Sequence, residues 1–229
     1  HGAGGSNTTG ERNTSVGFGA GGYGTTSSYN AFFGTGSGAG NTGDNNAFFG
    51  TFTANGFASG SNNSLFGFSA GFNLTSGFRN VFVGTGAGTA VTTGSDNVYV
   101  GYYANGTHPE TGNHNTALGS EAQHAQGLSY ATAIGAGAIV STSNTIQLGR
   151  SGGTETVRIP GKLVISTLGT SSSTHLCLNA SFEVSSCSSS QRYKTQIHTF
   201  SAGLDLLQRL RPVTFHWKTS GERELGLIA

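Results

Sequence analysis

Few residues in this chain have the types and spacing that metal binding or catalysis requires. His108 and His114 are separated by five residues, a spacing that can suit zinc, but no cysteine or second pair supports a site and we favour a loop. Asp44 and Asp96 lie just before repeated asparagines without a calcium-binding Gly-Gly-x-Gly-x-Asp signature, so we expect them to shape turns. No segment resembles a phosphate loop or a soluble hydrolase triad, and we expect neither a metal nor a cofactor.

The chain has two cysteines, Cys177 and Cys187. The residues between them predict a short hairpin that a disulfide would close. A cysteine pair in an otherwise cysteine-free chain favours an oxidising compartment. Two buried or free thiols are the alternative.

The composition excludes several classes of function. The 229 residues include 39 Gly, only 9% are charged, and the formal net charge is +1, so there is neither a basic field for nucleic acid nor an acidic tail. No apolar run reaches the roughly 18–20 residues that span a bilayer. Residues 1–100 contain twelve of the fifteen Phe and only five charged side chains, which separates a neutral front from a more ordinary globular tail. The chain begins at His1, which we interpret as a mature product or a fragment.

An Asn-x-x-x-Gly repeat dominates the first 150 residues. It recurs at steps of 16–18 residues, and such a period in a Gly-rich chain predicts one structural unit stacked on itself. A degenerate copy lies at 131–135 and a shorter one at 144–149. The seven full copies begin at Asn13, Asn30, Asn46, Asn63, Asn80, Asn97 and Asn115, and end at Gly17, Gly34, Gly50, Gly67, Gly84, Gly101 and Gly119.

Each unit has a small or β-branched residue at position +1 from the Asn, a larger apolar residue at +2, an apolar residue at +3 and Gly at +4. Apolar residues on both faces of a short β-rich run predict a strand that is buried on both sides. We expect each coil of about 17 residues to hold two short strands and two turns around a thin core. The Gly residues permit tight turns with positive φ, and the Asn side chains should stack as a ladder. Nine coils at about 4.8 Å would give a rod of roughly 43 Å.

One apolar face of this rod needs a partner. We predict that the face formed by Phe32, Phe48, Phe82 and Tyr99 is left open on a lone chain. A stripe of that length exceeds the few hundred Å² of apolar surface that soluble monomers usually expose. The sequence therefore predicts that identical chains pack around a common axis and bury it.

Two later copies of the repeat carry a family resemblance. Residues 115–122 and 131–138, with the sequences NTALGSEA and ATAIGAGA, resemble the head repeat of trimeric autotransporter adhesins. The resemblance covers about residues 10–150, is strong for 113–149, and is looser upstream, where the coils are longer and rich in Phe. It implies a mainly β fold, a left-handed parallel β-roll solenoid in a homotrimer.

The middle of the chain is predicted to be a β connector. Residues 156–165 alternate polar and apolar side chains around a Pro-Gly pair, which predicts two strands or one bent strand leading the trimer into a narrower stalk. Farther on, residues 201–210 predict an amphipathic helix with Ser201 as its N-cap and Pro212 beyond its end. Residues 213–218 and 224–229 predict two strands joined by a turn, the second cut off before its domain closes.

The order of motifs in this tail carries a second resemblance. SSQRYKTQI at 189–197, then the helix, RPVTF at 211–215 and LGLIA at 225–229 resemble the first part of the intramolecular chaperone domain of phage tailspikes and fibres, the S74 peptidase family. The resemblance implies a small α+β domain that helps three chains to trimerise. In many members the domain then cuts itself off just before a serine, with a lysine five residues later assisting.

Those two positions match Ser189 and Lys194. A serine needs a base to become a nucleophile, and a lysine serves when burial lowers its pKa. The family's usual Asp after the serine is Ser190 here, and the numbered chain runs unbroken past this point. A solvated Lys194 beside a serine run is the alternative, so the enzymatic expectation is at most a single-turnover self-cleaving endopeptidase.

The sequence therefore predicts three regions: a β-roll shaft at 1–150, a connector with the cysteine hairpin at 151–188, and the first part of a chaperone domain at 189–229. We expect a structural subunit of a homotrimeric extracellular fibre that binds a surface receptor or glycan. A bacterial cell-surface adhesin, a phage tail fibre or spike on the virion, and a self-processing peptidase are the alternatives. Neither nucleic acid nor a membrane span is expected.

Overall fold

The computed structural model describes residues 2–56, 59–161, 164, 176–178, 184–186, 211–216 and 223–228. It divides the chain into two compact units, His1–Gly161 and Lys162–Ala229. Among the described residues there are strands and turns but no helix, and hence none that could cross a bilayer. The chain is mainly β, as the sequence predicts.

The first unit is a parallel β-solenoid. Three-residue strands stack into one nine-stranded parallel sheet in the order β1-β2-β3-β4-β5-β6-β7-β9-β11, so eight coils separate the first strand from the last. A second parallel pair, β8 with β10, lies in the last coils. The strands of the large sheet are β1 (Thr14–Val16), β2 (Ala31–Phe33), β3 (Ala47–Phe49), β4 (Ser64–Phe66), β5 (Val81–Val83), β6 (Val98–Val100), β7 (Thr116–Leu118), β9 (Thr132–Ile134) and β11 (Ile146–Leu148), and those of the pair are β8 (Gln123–His124) and β10 (Ile139–Val140).

Equivalent positions of successive coils lie directly above one another. Phe32 is registered with Phe48, and Phe82 with Tyr99, so each position of the repeat forms a row along the solenoid. The rings of Phe32 and Phe48 stack at 5.3 Å between centroids, and those of Phe82 and Tyr99 at 4.9 Å. The core is therefore a column of +2 side chains, one from each strand, which are large in β2 to β6 and alanine in β7 and β9.

The face that was predicted to be open is in fact this core. Phe32, Phe48, Phe82 and Tyr99 are 0–3% exposed. Side chains alternate along a strand, so in a three-residue strand the +2 residue points to one face while +1 and +3 point to the other. The thin interior admits one side chain per strand, and the +2 residue supplies it, whether that residue is Phe82 in β5 or Ala117 in β7. The prediction was wrong about which face is outward.

Small residues complete the interior. The +7 row is fully buried along its whole length, which explains its alanines. Beyond it, glycine leaves space for the rings: a Cβ added at Gly88 would lie 2.6 Å from the Phe82 ring. The +7 row consists of Ala20, Ser37, Thr53, Ala70, Ala87, Ala104, Ala122 and Ala138.

Most coils contain one strand rather than the two that were predicted. After the strand, most coils turn through left-handed residues, such as Gly36 (φ 64°) and Gly38 (φ 57°), which an extended strand cannot contain. Backbone hydrogen bonds still join the turns of neighbouring coils, as from Gly38 N–H to the Thr53 carbonyl at 2.9 Å. Only the coils that begin with β7 and β9 form a second strand, β8 and β10.

The predicted strands at 156–165 are absent from the described part of that segment. Residues 156–161 are exposed and carry no strand pairing. A β-strand needs a hydrogen-bonded neighbour, and no described residue pairs with this stretch. Its alternating pattern alone is insufficient.

The described residues of the second unit form two antiparallel pairs. β12 (Leu176–Leu178) pairs with β13 (Val184–Ser186), and β14 (Arg211–His216) pairs with β15 (Arg223–Ile228). β14 begins two residues before the predicted strand and includes Pro212, which a two-stranded sheet tolerates because each strand has a free edge. The predicted helix at 201–210 lies outside the described residues.

Candidate functional site

The repeated asparagines tie each coil to the next. From Asn13 to Asn115, each side-chain Oδ1 accepts a hydrogen bond from the backbone N–H at the same position of the following coil, at 2.8–3.0 Å. Each Nδ2 donates to a backbone carbonyl of the following coil at 2.7–3.0 Å. From Asn30 onward these asparagines are at most 2% exposed. Their amides satisfy backbone groups that the turn buries.

The shortened last copy shifts this position by one residue. Thr145, not Asn144, occupies the place of the repeated asparagine. Its carbonyl accepts a hydrogen bond from the Thr132 N–H, just as the Asn30 carbonyl accepts one from the Thr14 N–H. Asn144 instead has φ 57°, the left-handed conformation that precedes the asparagine in every earlier coil. The spacing alone did not reveal this shift.

The +4 glycines are required by conformation and by contact. They have φ of 126–139° from Gly17 to Gly119. At Gly84, for example, an added Cβ would lie 2.4 Å from the carbonyl oxygen of Gly101 in the next coil. Any other residue would force the coils apart. The Asn and Gly rows together hold each strand at a fixed height and orientation.

The strands present an apolar stripe to solvent, formed by their +1 and +3 residues. The Phe33, Phe49 and Phe66 rings stack at 4.7 and 5.1 Å with interplanar angles of 8°. Aliphatic side chains continue the +3 row beyond the rings. We define the outward stripe as the +3 residues Val16, Phe33, Phe49, Phe66, Val83, Val100, Leu118, Ile134 and Leu148 with the +1 residues beside them.

This outward stripe is the candidate functional surface. Val83 and Val100 are 38% and 37% exposed, and Leu148 is 47% exposed. The stripe follows the whole nine-stranded sheet, and its +1 and +3 positions are uncharged throughout. An uncharged sheet face of this length with an apolar +3 row favours packing against protein rather than chemistry.

Charged side chains lie outside the stripe and stabilise turns. Arg79 and Asp96, at equivalent positions of adjacent coils, form a two-point salt bridge with N–O distances of 2.6 and 2.8 Å. The hydrogen bond from Arg79 is the main cause that lowers the pKa of Asp96. Asp44 accepts a hydrogen bond from the Ser28 N–H at 2.7 Å. Both aspartates therefore act at turns.

One buried polar cluster was missed by the sequence analysis. His124 Nε2 lies 2.8 Å from the Tyr99 hydroxyl oxygen. His124 Nδ1 lies 3.2 Å from Glu110 Oε2, but these two atoms are not aligned for a hydrogen bond. Glu110 pairs with Val91 in the row of inward side chains and accepts hydrogen bonds from the N–H groups of Gly112 and Gly127. Burial is the main cause that raises the pKa of Tyr99 well above its ordinary value.

This cluster resembles an acid–base chain, but all three side chains are at most 1% exposed, so no substrate reaches them. The signal that could have revealed it is Glu110, a charged residue in the longest coil at a position that is apolar in the two preceding coils. Because this coil is longer than its neighbours, the sequence alone does not show that Glu110 lies opposite Val91 in the interior.

His108 and His114, the pair with zinc-like spacing, do not come together in a metal site. His108 Nδ1 lies 2.8 Å from the Thr107 hydroxyl oxygen, and the His114 ring stacks on Tyr130 at 4.7 Å. Across the part of the chain that the structure describes, no group of three metal-ligating side chains occurs.

The predicted reactive residues of the tail are not positioned by the structure. Ser189, Lys194 and Cys187 lie outside the described residues. The register of β12 and β13 places Ser185 opposite Cys177. Self-cleavage and the disulfide therefore stay predictions.

Comparison with known proteins supports the reading of the tail. Residues 189–229 match the Peptidase_S74 family, described as chaperone of endosialidase. No curated protein and no solved structure matches the chain significantly. The match covers 41 of the 229 residues and confirms the predicted resemblance of this C-terminal segment, which follows a β-solenoid.

Proposed function

We propose that this chain is the structural subunit of a homotrimeric fibre of the phage tail-fibre or tailspike type, with a C-terminal chaperone segment that drives trimerisation. Residues 1–150 would form the shaft, 151–188 the connector and 189–229 the first part of the chaperone domain. The proposal rests on one combination: an S74 match C-terminal to a solenoid whose outward stripe is left uncovered by the described residues.

The outward stripe supports self-association. A second copy of the same sheet offers a complementary surface with the same spacing between coils, and no charge has to be buried. Three copies around one axis would each turn the stripe inward. Burial of apolar surface, at about 25 cal/mol per Å², would be the main driving force.

A chaperone segment has a physical task in such a fibre. Because the outward stripe repeats with every coil, two chains that slip by one coil, about 4.8 Å, still place apolar rows against apolar rows. The shaft therefore specifies its own axial alignment weakly. A trimerising domain at one end would fix the three chains in register before the shafts pack.

The test compares the whole chain with a chain that ends at residue 188. Both are refolded from denaturant, and the yield of trimer is measured by light scattering. The proposal expects the truncated chain to form monomers, aggregates or misaligned species. An equal trimer yield from both would contradict a chaperone role for residues 189–229.

Self-cleavage is a separate part of this proposal. If Ser189 and Lys194 act as nucleophile and base, protein made from the whole gene yields a fragment cut between residues 188 and 189, and the fragment disappears in Ser189→Ala and Lys194→Ala. Gel electrophoresis with intact mass measurement reads this out. A wild type that gives no fragment would rule out the self-cleaving activity and leave trimerisation untouched.

The S74 match favours a virion tail as the location of the fibre, and a bacterial cell surface is the alternative. Neighbouring virion genes would support the first, and a signal peptide in the full gene would support the second.

The predicted disulfide between Cys177 and Cys187 is tested by alkylation without reductant. Labelling of both cysteines would exclude it.

A further inference from the structure

An open groove lies on a different face from the outward stripe. Its volume is about 670 Å³, within the range of roughly 300–1,000 Å³ that small-ligand sites occupy. It crosses three successive coils, because Phe18, Thr35 and Phe52 are joined through backbone hydrogen bonds from one coil to the next. We call it the corner groove, after the turn that follows each strand.

Aromatic side chains border the corner groove and glycines form its floor. Phe18 is 66% exposed, Tyr23 is 69% exposed and Phe52 is 38% exposed. A Cβ added at Gly19 would meet nothing within 4 Å, so the space above this glycine is open. The groove therefore offers exposed ring faces beside open space.

Phe52 is held in place at a conformational cost. Its φ of 57° is left-handed, whereas the same corner position holds glycine in several other coils, including Gly19 and Gly36. A Cβ at Gly36 would lie 2.9 Å from the Phe52 ring and 3.1 Å from Asn55 Oδ1, so both side chains lie close over that glycine. Left-handed backbone at a bulky residue costs on the order of 1 kcal/mol or more. Tyr103 has the same conformation at this corner in a later coil, so the conformation belongs to the coil and the open space beside Phe52 is what distinguishes the groove.

The chemistry of the lining indicates the class of ligand. None of the lining residues is charged, so the groove offers no ion pair to an anionic or cationic group. Ser6, Thr35 and Asn55 supply hydroxyl and amide groups beside the rings. A partner that matches this surface carries a flat apolar face, several hydroxyl groups and no charge.

We propose that the corner groove binds a neutral saccharide, with a pyranose ring stacked against Phe52 and flanked by Phe18 and Tyr23. This site gives the proposed fibre a target-binding surface on its shaft, and the proposal deepens that function without requiring a trimer.

The chain provides a clean variant and a matched control. Phe52→Gly installs the residue that Gly19 and Gly36 already provide at this corner, so it removes the ring and relieves the left-handed strain. Tyr103→Gly makes the same change in a distant coil, where Tyr103 (φ 47°) is also 38% exposed and lies over Gly86 with a Cβ distance of 3.0 Å. Thermal unfolding of both variants checks that the solenoid is intact.

The probes are maltotriose, cellotriose and chitotriose as neutral trisaccharides, and 3′-sialyllactose as an anionic one, titrated into the full chain with ligand-observed NMR. We expect a neutral trisaccharide to bind, Phe52→Gly to weaken that binding at least ten-fold, and Tyr103→Gly to leave it within two-fold of wild type. Absence of binding by all three neutral sugars at 10 mM, binding of sialyllactose alone, or equal loss in both variants would overturn the proposal.

The same samples separate this inference from the fibre assignment. Particle mass is measured on each. A trimer without saccharide binding contradicts the corner groove alone, and a single chain that binds saccharide through Phe52 contradicts the trimeric fibre alone.

Discussion

At the scale of single residues, the two residues that recur in each coil, asparagine and the +4 glycine, stabilise the solenoid in different ways. The asparagine amide supplies one acceptor and two donors to buried backbone groups, which no aliphatic side chain can replace. The +4 glycine permits a φ near 130° and a carbonyl contact that a Cβ would prevent. Loss of either group affects two neighbouring coils at once.

Asn80→Ala should destabilise the solenoid strongly. Asn80 is fully buried, and its side chain accepts from the Asn97 N–H at 3.0 Å and donates to the Gly94 carbonyl at 2.9 Å. Two buried groups lose their partner at about 1–3 kcal/mol each, so we expect a loss of about 2–5 kcal/mol. Thermal unfolding at fixed protein concentration should show Tm lowered by roughly 5–15 °C.

The control is Asn73→Ala. Asn73 also donates to a carbonyl of the next coil, at 2.9 Å to Thr89, but this bond is exposed to solvent. We expect a change within about 0.5 kcal/mol. Equal shifts in the two variants would mean that burial of the asparagine ladder contributes nothing.

Tyr99 should make the solenoid sensitive to alkaline pH. Burial raises its pKa in the folded chain, with the Glu110 charge adding to the effect. Because the folded value is above the unfolded one, the contribution to stability is complete below about pH 10, the ordinary value, and is lost as pH rises beyond it. Chemical denaturation between pH 8 and 11.5 should show a steeper alkaline loss for wild type than for Tyr99→Phe.

Tyr99→Phe should itself cost about 1–3 kcal/mol at pH 8, since His124 Nε2 loses its partner. The ring itself fits, because Phe82 occupies the same row one coil earlier. Parallel pH profiles for the two proteins would show that the phenol does not ionise on unfolding.

At the scale of the element, the coil is a three-residue strand followed by turns, and the two faces of the strand have different surroundings. The +2 side chain enters the core, and +1 and +3 form the outward stripe. The strands, their parallel stacking and the asparagine register follow from a 17-residue period, since any stacked repeat aligns like positions.

The sequence did not predict which apolar position is inward. At Phe32-Phe33 and Phe48-Phe49 both adjacent positions are aromatic, so the local pattern is symmetrical; only the closed coil distinguishes them. The second strand was also overpredicted, because it is replaced by two left-handed residues with one residue between them, and these are glycines in one coil (Gly36 and Gly38) but Phe52 and Ala54 in the next, which leaves no consistent sequence signal. The Tyr99–His124 contact joins residues 25 apart and depends on a register that a change of coil length obscures.

Charge on the outward stripe should prevent self-association. In Val83→Lys combined with Val100→Lys, the side chains point to solvent in the lone chain, which can therefore still fold, but the interface between chains would have to bury six charges in a trimer. We expect sedimentation velocity to show single chains with the β-rich circular dichroism of the wild type.

Phe72→Lys is the matched control, because Phe72 is 36% exposed but lies off the stripe. It should remain assembled. A double lysine variant that assembles like wild type would place the self-contact on another face.

At the scale of the whole molecule, the solenoid and the S74-type segment would have complementary roles in the proposed fibre. The solenoid offers a long apolar surface but little axial specificity. A chaperone segment at one end would set the register of three chains before the solenoids associate along their length.

The central claim is that identical chains cover the outward stripe, and the mass of the intact particle tests it most directly. Light scattering on the purified whole chain should give three times 23.3 kDa, about 70 kDa, across a dilution series in the micromolar range. A stable, soluble particle of 23.3 kDa that keeps its β-rich circular dichroism on dilution would contradict the account.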